Sequence, residues 1–193
     1  MTAEKLMISH TELCLAVAKR YIRKLALYEY KSTIYNEEPD VLVFDFGTTY
    51  LFEIKVSMAD FKRDHNKEAR KKYRVPLWAR YLPLKGAISG NKYSEILKTS
   101  NGKMEVTFIE NEHLGNYRYF VCPWGLIPVD LIPEGWGLLY YKNGKFYRKK
   151  ESGKFRSNLR KENELVIHAL RRYASGDTKG IMLNTYERVQ KWQ

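Results

Sequence analysis

The chain has 193 residues, 44% of them hydrophobic and 14% aromatic, and carries a formal net charge of +12. That length and composition suit one packed domain and exclude a disordered chain or a disulfide-stapled miniprotein. No apolar run is long enough to span a bilayer, and the basic excess favours a polyanionic partner.

The N-terminus lacks the basic, apolar, small-residue order of a secretory leader. Cys14 and Cys122, the two cysteines, each sit in an apolar context, so a reducing cytoplasm is the expected compartment. The positive charge is clustered. Between Lys142 and Arg172 basic residues outnumber acidic ones 11 to 3, and between Glu53 and Arg74 by 8 to 4. A lipid surface is the weaker explanation, because no strongly amphipathic terminal helix accompanies the charge.

Residues 9–27 read as a helix. Leu13, Val17, Ile22 and Leu25 recur at roughly helical spacing, and Lys19, Arg20, Arg23 and Lys24 supply a polar side. Ser9-His10-Thr11-Glu12 fits a capping box, with Glu12 reaching back to the Ser9 amide. A first strand is expected over 27–35, ending in Asn36-Glu37-Glu38-Pro39. Residues 41–46 and 50–56 then form a hairpin turned by Gly47-Thr48-Thr49. On the second strand Phe52, Ile54 and Val56 share an apolar face, expected to meet the core. Glu53 and Lys55 share the opposite face with Leu51. Asp40, at the start of the partner strand, should come close to both. Two carboxylates and an ammonium on one rigid hairpin make a candidate divalent-metal site with a charged helper; the plain alternative is a turn opener beside a surface ion pair.

Ser57 opens a second helix over about 58–73, paired with Asp60. It carries Lys62, Arg63, Lys67, Arg70, Lys71 and Lys72, with Phe61 as its inward anchor. These cations stand where phosphates would approach the site; a solvated face with internal ion pairs is the alternative. Residues 76–112, broken by Pro76, Pro83, Gly86, Gly90 and Gly102, read as an elaboration on the core, with a helical turn at 93–98 and a strand at 105–109. A strand follows at 116–121. The loop Trp124-Gly125-Leu126-Ile127-Pro128 leads to 129–132, and Pro133-Glu134-Gly135 turns into 136–141. Asn143-Gly144 signals a hairpin returning through 146–149. Residues 149–161 are basic and polar, a candidate flexible arm. A last helix spans 162–173, with Leu165, Val166, Ala169 and Leu170 inward. Trp124 and Trp136 are expected to pack rather than stack on bases. His10 and His113 lack a partner at zinc-ligand spacing, which disfavours a zinc enzyme.

Three stretches, His10-Thr11-Glu12-Leu13, Glu38-Pro39-Asp40 and Glu53-Ile54-Lys55-Val56-Ser57 with Asp60-Phe61, resemble the PD-(D/E)xK nuclease superfamily. Together with Tyr117-Arg118-Tyr119-Phe120-Val121-Cys122-Pro123, Gly125-Leu126-Ile127 and Pro133-Glu134-Gly135-Trp136-Gly137-Leu138-Leu139, they are similar to its MmcB group of DNA-repair proteins. The likeness covers most of residues 9–141 in the same order.

The resemblance implies an α/β (α+β), restriction-endonuclease-like mixed sheet flanked by helices, as one domain over residues 1–193. It implies a metal-dependent DNA phosphodiesterase of repair, recombination or mobile-element processing, using Mg²⁺ or Mn²⁺. Carried over, Asp40, Glu53 and the Ile54 carbonyl would hold the metal, and Glu12 would join directly or through water. Lys55 would position or deprotonate the attacking water, or stabilise charge on the phosphate. Lys62, Arg63, Lys67, Arg70, Lys71 and Arg118 become DNA contacts; Arg118 pairing with a carboxylate at the core edge is the alternative. The alternative function is a DNA-binding protein on the same fold with weak or no catalysis. A two-fold homodimer is an expectation for duplex cleavage.

Overall fold

A computed structural model describes residues 8–32, 38–64, 73–76, 106–109 and 114–183. The chain divides into two units, one made of Met1–His65 with Glu112–Gln193 and the other of Asn66–Asn111. The second unit begins earlier than the elaboration expected from residue 76. Within it β4 (Tyr73–Pro76) pairs antiparallel with β5 (Val106–Ile109). Tyr73, expected to end the second helix, lies in this strand. The expected helical turn at 93–98 falls outside the described residues.

The first unit is built on a mixed seven-stranded sheet. Its strands are β1 (Leu25–Tyr28), β2 (Val41–Asp45), β3 (Thr48–Ile54), β6 (Tyr117–Pro123), β7 (Gly137–Lys142), β8 (Lys145–Lys150) and β9 (Ile181–Met182). They lie in the order β8-β7-β6-β3-β2-β1-β9. β3, β6 and β7 run parallel; the other neighbours are antiparallel.

Helices cover both faces. α1 (His10–Arg20) packs Leu13, Cys14 and Val17 on Val41, Val43, Phe52 and Ile54. α3 (Leu159–Ala174) sets Leu165 and Ala169 against Leu27, Leu42 and Leu51 on the opposite face. α2 (Met58–Asp64) has seven residues, too few to persist alone. Phe61 holds it to that second face, its ring edge-on to Phe120 at 5.2 Å. Burying this side chain contributes about 1.5–3 kcal/mol. Among the described residues no helix is long and apolar enough to cross a membrane.

Local chemistry sets the boundaries. α1 ends at Tyr21, whose amide bonds back to Ala18 while that of Ile22 bonds back to Lys19, and whose ring turns inward to Tyr50 and Phe52. The first strand therefore starts at Leu25, and residues 21–24 are not helical as expected. The β2–β3 turn is Phe46-Gly47, not Gly47-Thr48-Thr49. Both residues have positive φ (40° and 80°), the two-residue geometry that matches the twist of a hairpin. Asn143-Gly144 repeats it at φ 51° and 75°.

Two further expectations are corrected. Residues 151–158 are not a loose arm. Ser152 Oγ accepts the Arg118 amide at 2.8 Å, Phe155 N–H donates to the Asn116 carbonyl at 2.7 Å, and Ser157 is buried. In α3, Leu170 faces outward and is 47% exposed. Glu162 faces inward instead, because Thr49, Gly115 and Ser157 offer it hydrogen bonds.

Candidate active site at the carboxyl end of β3

Antiparallel pairing of β2 with β3 puts Asp40, the residue before β2, beside the last residues of β3. Its Oδ2 accepts the Ile54 amide at 2.7 Å, which ties the carboxylate to the strand. The ladder continues through Lys55, whose amide donates to the Val121 carbonyl. Glu53 and Lys55, two apart, project to one face. Lys55 Nζ donates to Glu53 Oε2 at 3.1 Å and lies 4.0 Å from Asp40 Oδ2. The structure thus gathers Asp40, Glu53 and Lys55 around a single ammonium.

That face is not open to solvent. The side chains of Glu53 and Lys55 are 8% and 4% exposed, against 22% for Asp40. β3 is central, with a parallel neighbour and helices on both sides, and such strands are buried on both faces.

Glu12 does not join the group. It is exposed, and its Oε2 accepts the Ser9 amide at 2.8 Å and the Ser9 hydroxyl at 2.7 Å. Those bonds hold its carboxyl below the usual value. The first-helix residue that reaches Asp40 is His10, two positions earlier, with Nε2 3.4 Å from Asp40 Oδ1. Its Nδ1 lies 3.2 Å from an oxygen of Glu29, which also accepts the Thr11 hydroxyl. Glu29 takes this place from a left-handed conformation, φ 45°, with its amide bound to the Asp40 carbonyl.

Asp40 therefore serves two cations, one from each side of the sheet. Burial by itself would raise its carboxyl, but the His10 hydrogen bond, the Lys55 charge and the Ile54 amide together hold it below the ordinary value. The hydrogen bond to Asp40, helped by Cys14, pushes His10 from 6.5 up to about 11. A raised value means that the folded chain favours the proton. The resulting stability is complete below pH 6.5 and is lost as pH climbs towards 11. The His10 ring resonances should accordingly stay flat through about pH 9 in an NMR titration. In Asp40→Asn they should titrate closer to the ordinary range. A midpoint near 6.5 in the unaltered protein would contradict the ion pair.

His10 Nδ1, Cys14 Sγ and a Glu29 oxygen lie within 4.8 Å of one another, as metal ligands would. With Nε2 held by Asp40, His10 would have to give up the proton on Nδ1 to bind an ion there.

The proposed DNA contacts divide. Lys62 and Arg63 are exposed on α2, Arg63 lying 3.8 Å from Asp60. Lys67, Arg70 and Lys71 fall outside the described residues. Arg118 is turned inward. It is 6% exposed, its Nε bonds the Gly115 carbonyl at 3.2 Å, and its guanidinium stacks on Phe155 at 4.1 Å. His10 and Glu29 escape a sequence reading because nothing in their spacing links them; β1 must first bring Glu29 back to α1.

No family model and no curated protein matches the chain. Among solved structures it is similar to a protein of unknown function from Silicibacter pomeroyi. The two share 17% identity over 91% of this chain and 97% of that one, with a TM-score of 0.51. The likeness is one of fold.

Proposed function

We propose that the chain is a metal-dependent DNA phosphodiesterase on a restriction-endonuclease-like core. The observation that carries the reading is the convergence of Asp40 and Glu53 on Lys55 at the end of β3. The pattern is the one on which the PD-(D/E)xK resemblance rests.

The donor set fits the expected ion. Two carboxylates already gather around a positive charge, and oxygen donors suit a hard divalent cation. Asp40 and Glu53, with the Ile54 carbonyl, would hold Mg²⁺ or Mn²⁺. When bound, the ion supplies an activated water and offsets charge on the phosphate. The Ile54 amide keeps Asp40 aimed at this point, and His10 keeps it ionised. Lys55 orients the attacking water or meets a phosphate oxygen. Lys62 and Arg63 attract the backbone from the surface of α2.

The closure of the Glu53–Lys55 pair favours a second reading, a DNA-binding protein with weak or no catalysis. One experiment separates them. Purified protein with Mn²⁺ or Mg²⁺ should cut plasmid, nicked or single-stranded DNA and leave it intact in EDTA. Intact DNA under every metal condition, with binding that weakens steeply in salt, would leave only the binding protein. Absence of both activities would remove DNA from the account.

A further inference from the structure

The carboxyl ends of β3, β6 and β7 lie at one end of the sheet, because the three strands are parallel. One step past the Ile54–Val121 pair, Lys55 stands level with Cys122, which pairs with Tyr140, which pairs with Tyr147 of β8. Three strand spacings of about 4.8 Å separate Lys55 from Tyr147, or roughly 14 Å. Phe120, Cys122, Leu138 and Tyr140 pack together with Phe61 of α2, on the face to which Glu53 projects.

At the far side of this row stands Trp124, just after β6. It is 43% exposed, and Tyr147 beside it is 39% exposed. Trp124 packs at the core edge as expected, yet leaves much of its ring open to solvent. Its ring meets Tyr147 edge-on at 5.1 Å and Tyr140 at 5.5 Å. Lys149 Nζ lies 4.2 Å and Lys142 Nζ 5.5 Å from its centroid. Exposed cation–π contacts of this kind are weak. Either ammonium can therefore leave the ring for a phosphate while a base takes its place.

We propose that Trp124, braced edge-on by Tyr147, is a stacking platform for an unpaired base of single-stranded DNA, with Lys142 and Lys149 on the backbone. The inference rests on the DNA reading above and adds the form of the substrate. Rings that lie flat to a base need a base whose face is free, which a duplex does not offer along its length. The local charge selects the partner, since four of the six residues of β8 are basic. A neutral protein surface would explain the rings but not a strand with Lys145, Arg148, Lys149 and Lys150. The platform shares the face and end of the sheet with Glu53 and Lys55, so a strand seated on it is led towards them.

The test is binding of a labelled oligothymidylate and of a blunt duplex to the full chain by fluorescence anisotropy. EDTA keeps cleavage from contributing. Loss of one stacked base is worth about 1–3 kcal/mol, so Trp124→Ala should weaken the oligothymidylate about tenfold or more and leave the duplex within about twofold. Trp124→Phe, which keeps a stacking ring, should recover most of the loss, and Lys149→Gln should flatten the salt dependence for the single strand. Equal affinity of Trp124→Ala and the parent, or equal losses on both DNAs, overturns the platform. Tighter Trp124-dependent binding of oligouridylate overturns its assignment to DNA. Because no metal is present, the outcome does not depend on catalysis: the platform can fail in a protein that cuts DNA, and can hold in one that does not.

Discussion

Asp40→Asn and Lys55→Met should each abolish metal-dependent DNA cleavage, but they should differ in stability. Asparagine keeps an acceptor for the Ile54 amide and removes only the charge, so the β2–β3 junction is retained. Methionine keeps the length of Lys55 and removes the ammonium that both carboxylates face. A buried charge left without its partner costs about 3–5 kcal/mol, so Lys55→Met should unfold at markedly lower denaturant. Loss of a group that positions or relays a proton lowers turnover about 10²–10⁴-fold.

The double variant Glu53→Gln/Lys55→Met decides what the pair is for. It removes both charges together, so most of the lost stability should return. Cleavage should not return. A double variant that folds and cuts DNA at the parental rate would make Glu53 and Lys55 a structural pair and end the nuclease proposal. Thermal melts and plasmid nicking on the same samples supply both readouts.

The second large effect is expected far from that end of the sheet. Glu162 is 3% exposed on the inner side of α3. Its Oε1 accepts the Thr49 hydroxyl and the Gly115 amide, both at 2.8 Å, and Oε2 accepts the Ser157 hydroxyl at 3.3 Å. These donors belong to the start of β3, the approach to β6 and the entry to α3. Glu162→Ala leaves the Gly115 amide and the Ser157 hydroxyl buried without this acceptor, while the Thr49 hydroxyl keeps Asn116 Oδ1 at 3.1 Å. At about 1–3 kcal/mol for each unsatisfied group, the loss should reach about 2 kcal/mol or more. Glu162→Gln keeps a carbonyl for Thr49 and Gly115 and offers its amide to Ser157, so it should cost about 1 kcal/mol. Chemical denaturation checks both. Equal, small effects would mean that the network adds little to the fold.

The network also explains the backbone around it. Gly115 sits at φ +84°, and a Cβ there would come within 2.6 Å of the Leu51 Cβ. Its amide can point at Glu162 only because the chain passes this close to β3. The helical period puts position 162 on the face of Leu165 and Ala169, but hydrophobicity alone favours Val166 and Leu170 over a glutamate. Leu170 nonetheless faces out. A satisfied carboxylate outweighed an extra apolar contact.

What could be read along the chain was whatever depends on neighbours a few residues away. The Ser9–Glu12 capping box, the Ser57 cap of α2, the Asn143-Gly144 turn and the strand at 106–109 follow from local chemistry and were legible as such. So was the approach of Asp40 to Glu53 and Lys55, because a hairpin is itself a local structure. Burial was not legible. Whether the Glu53–Lys55 face meets water depends on which strand lies next to β3 and how the helices cover it, and both β6 and α3 arrive from more than fifty residues later. The same holds for Arg118, a surface cation by composition and a buried stack on Phe155 by position. It holds too for His10, which becomes a partner of Asp40 only when α1 is laid across the sheet. Sequence determines the elements because their energies are settled within a turn or a hairpin. Only the tertiary structure decides which charged groups are buried together, because that depends on contacts between segments with no pattern in common.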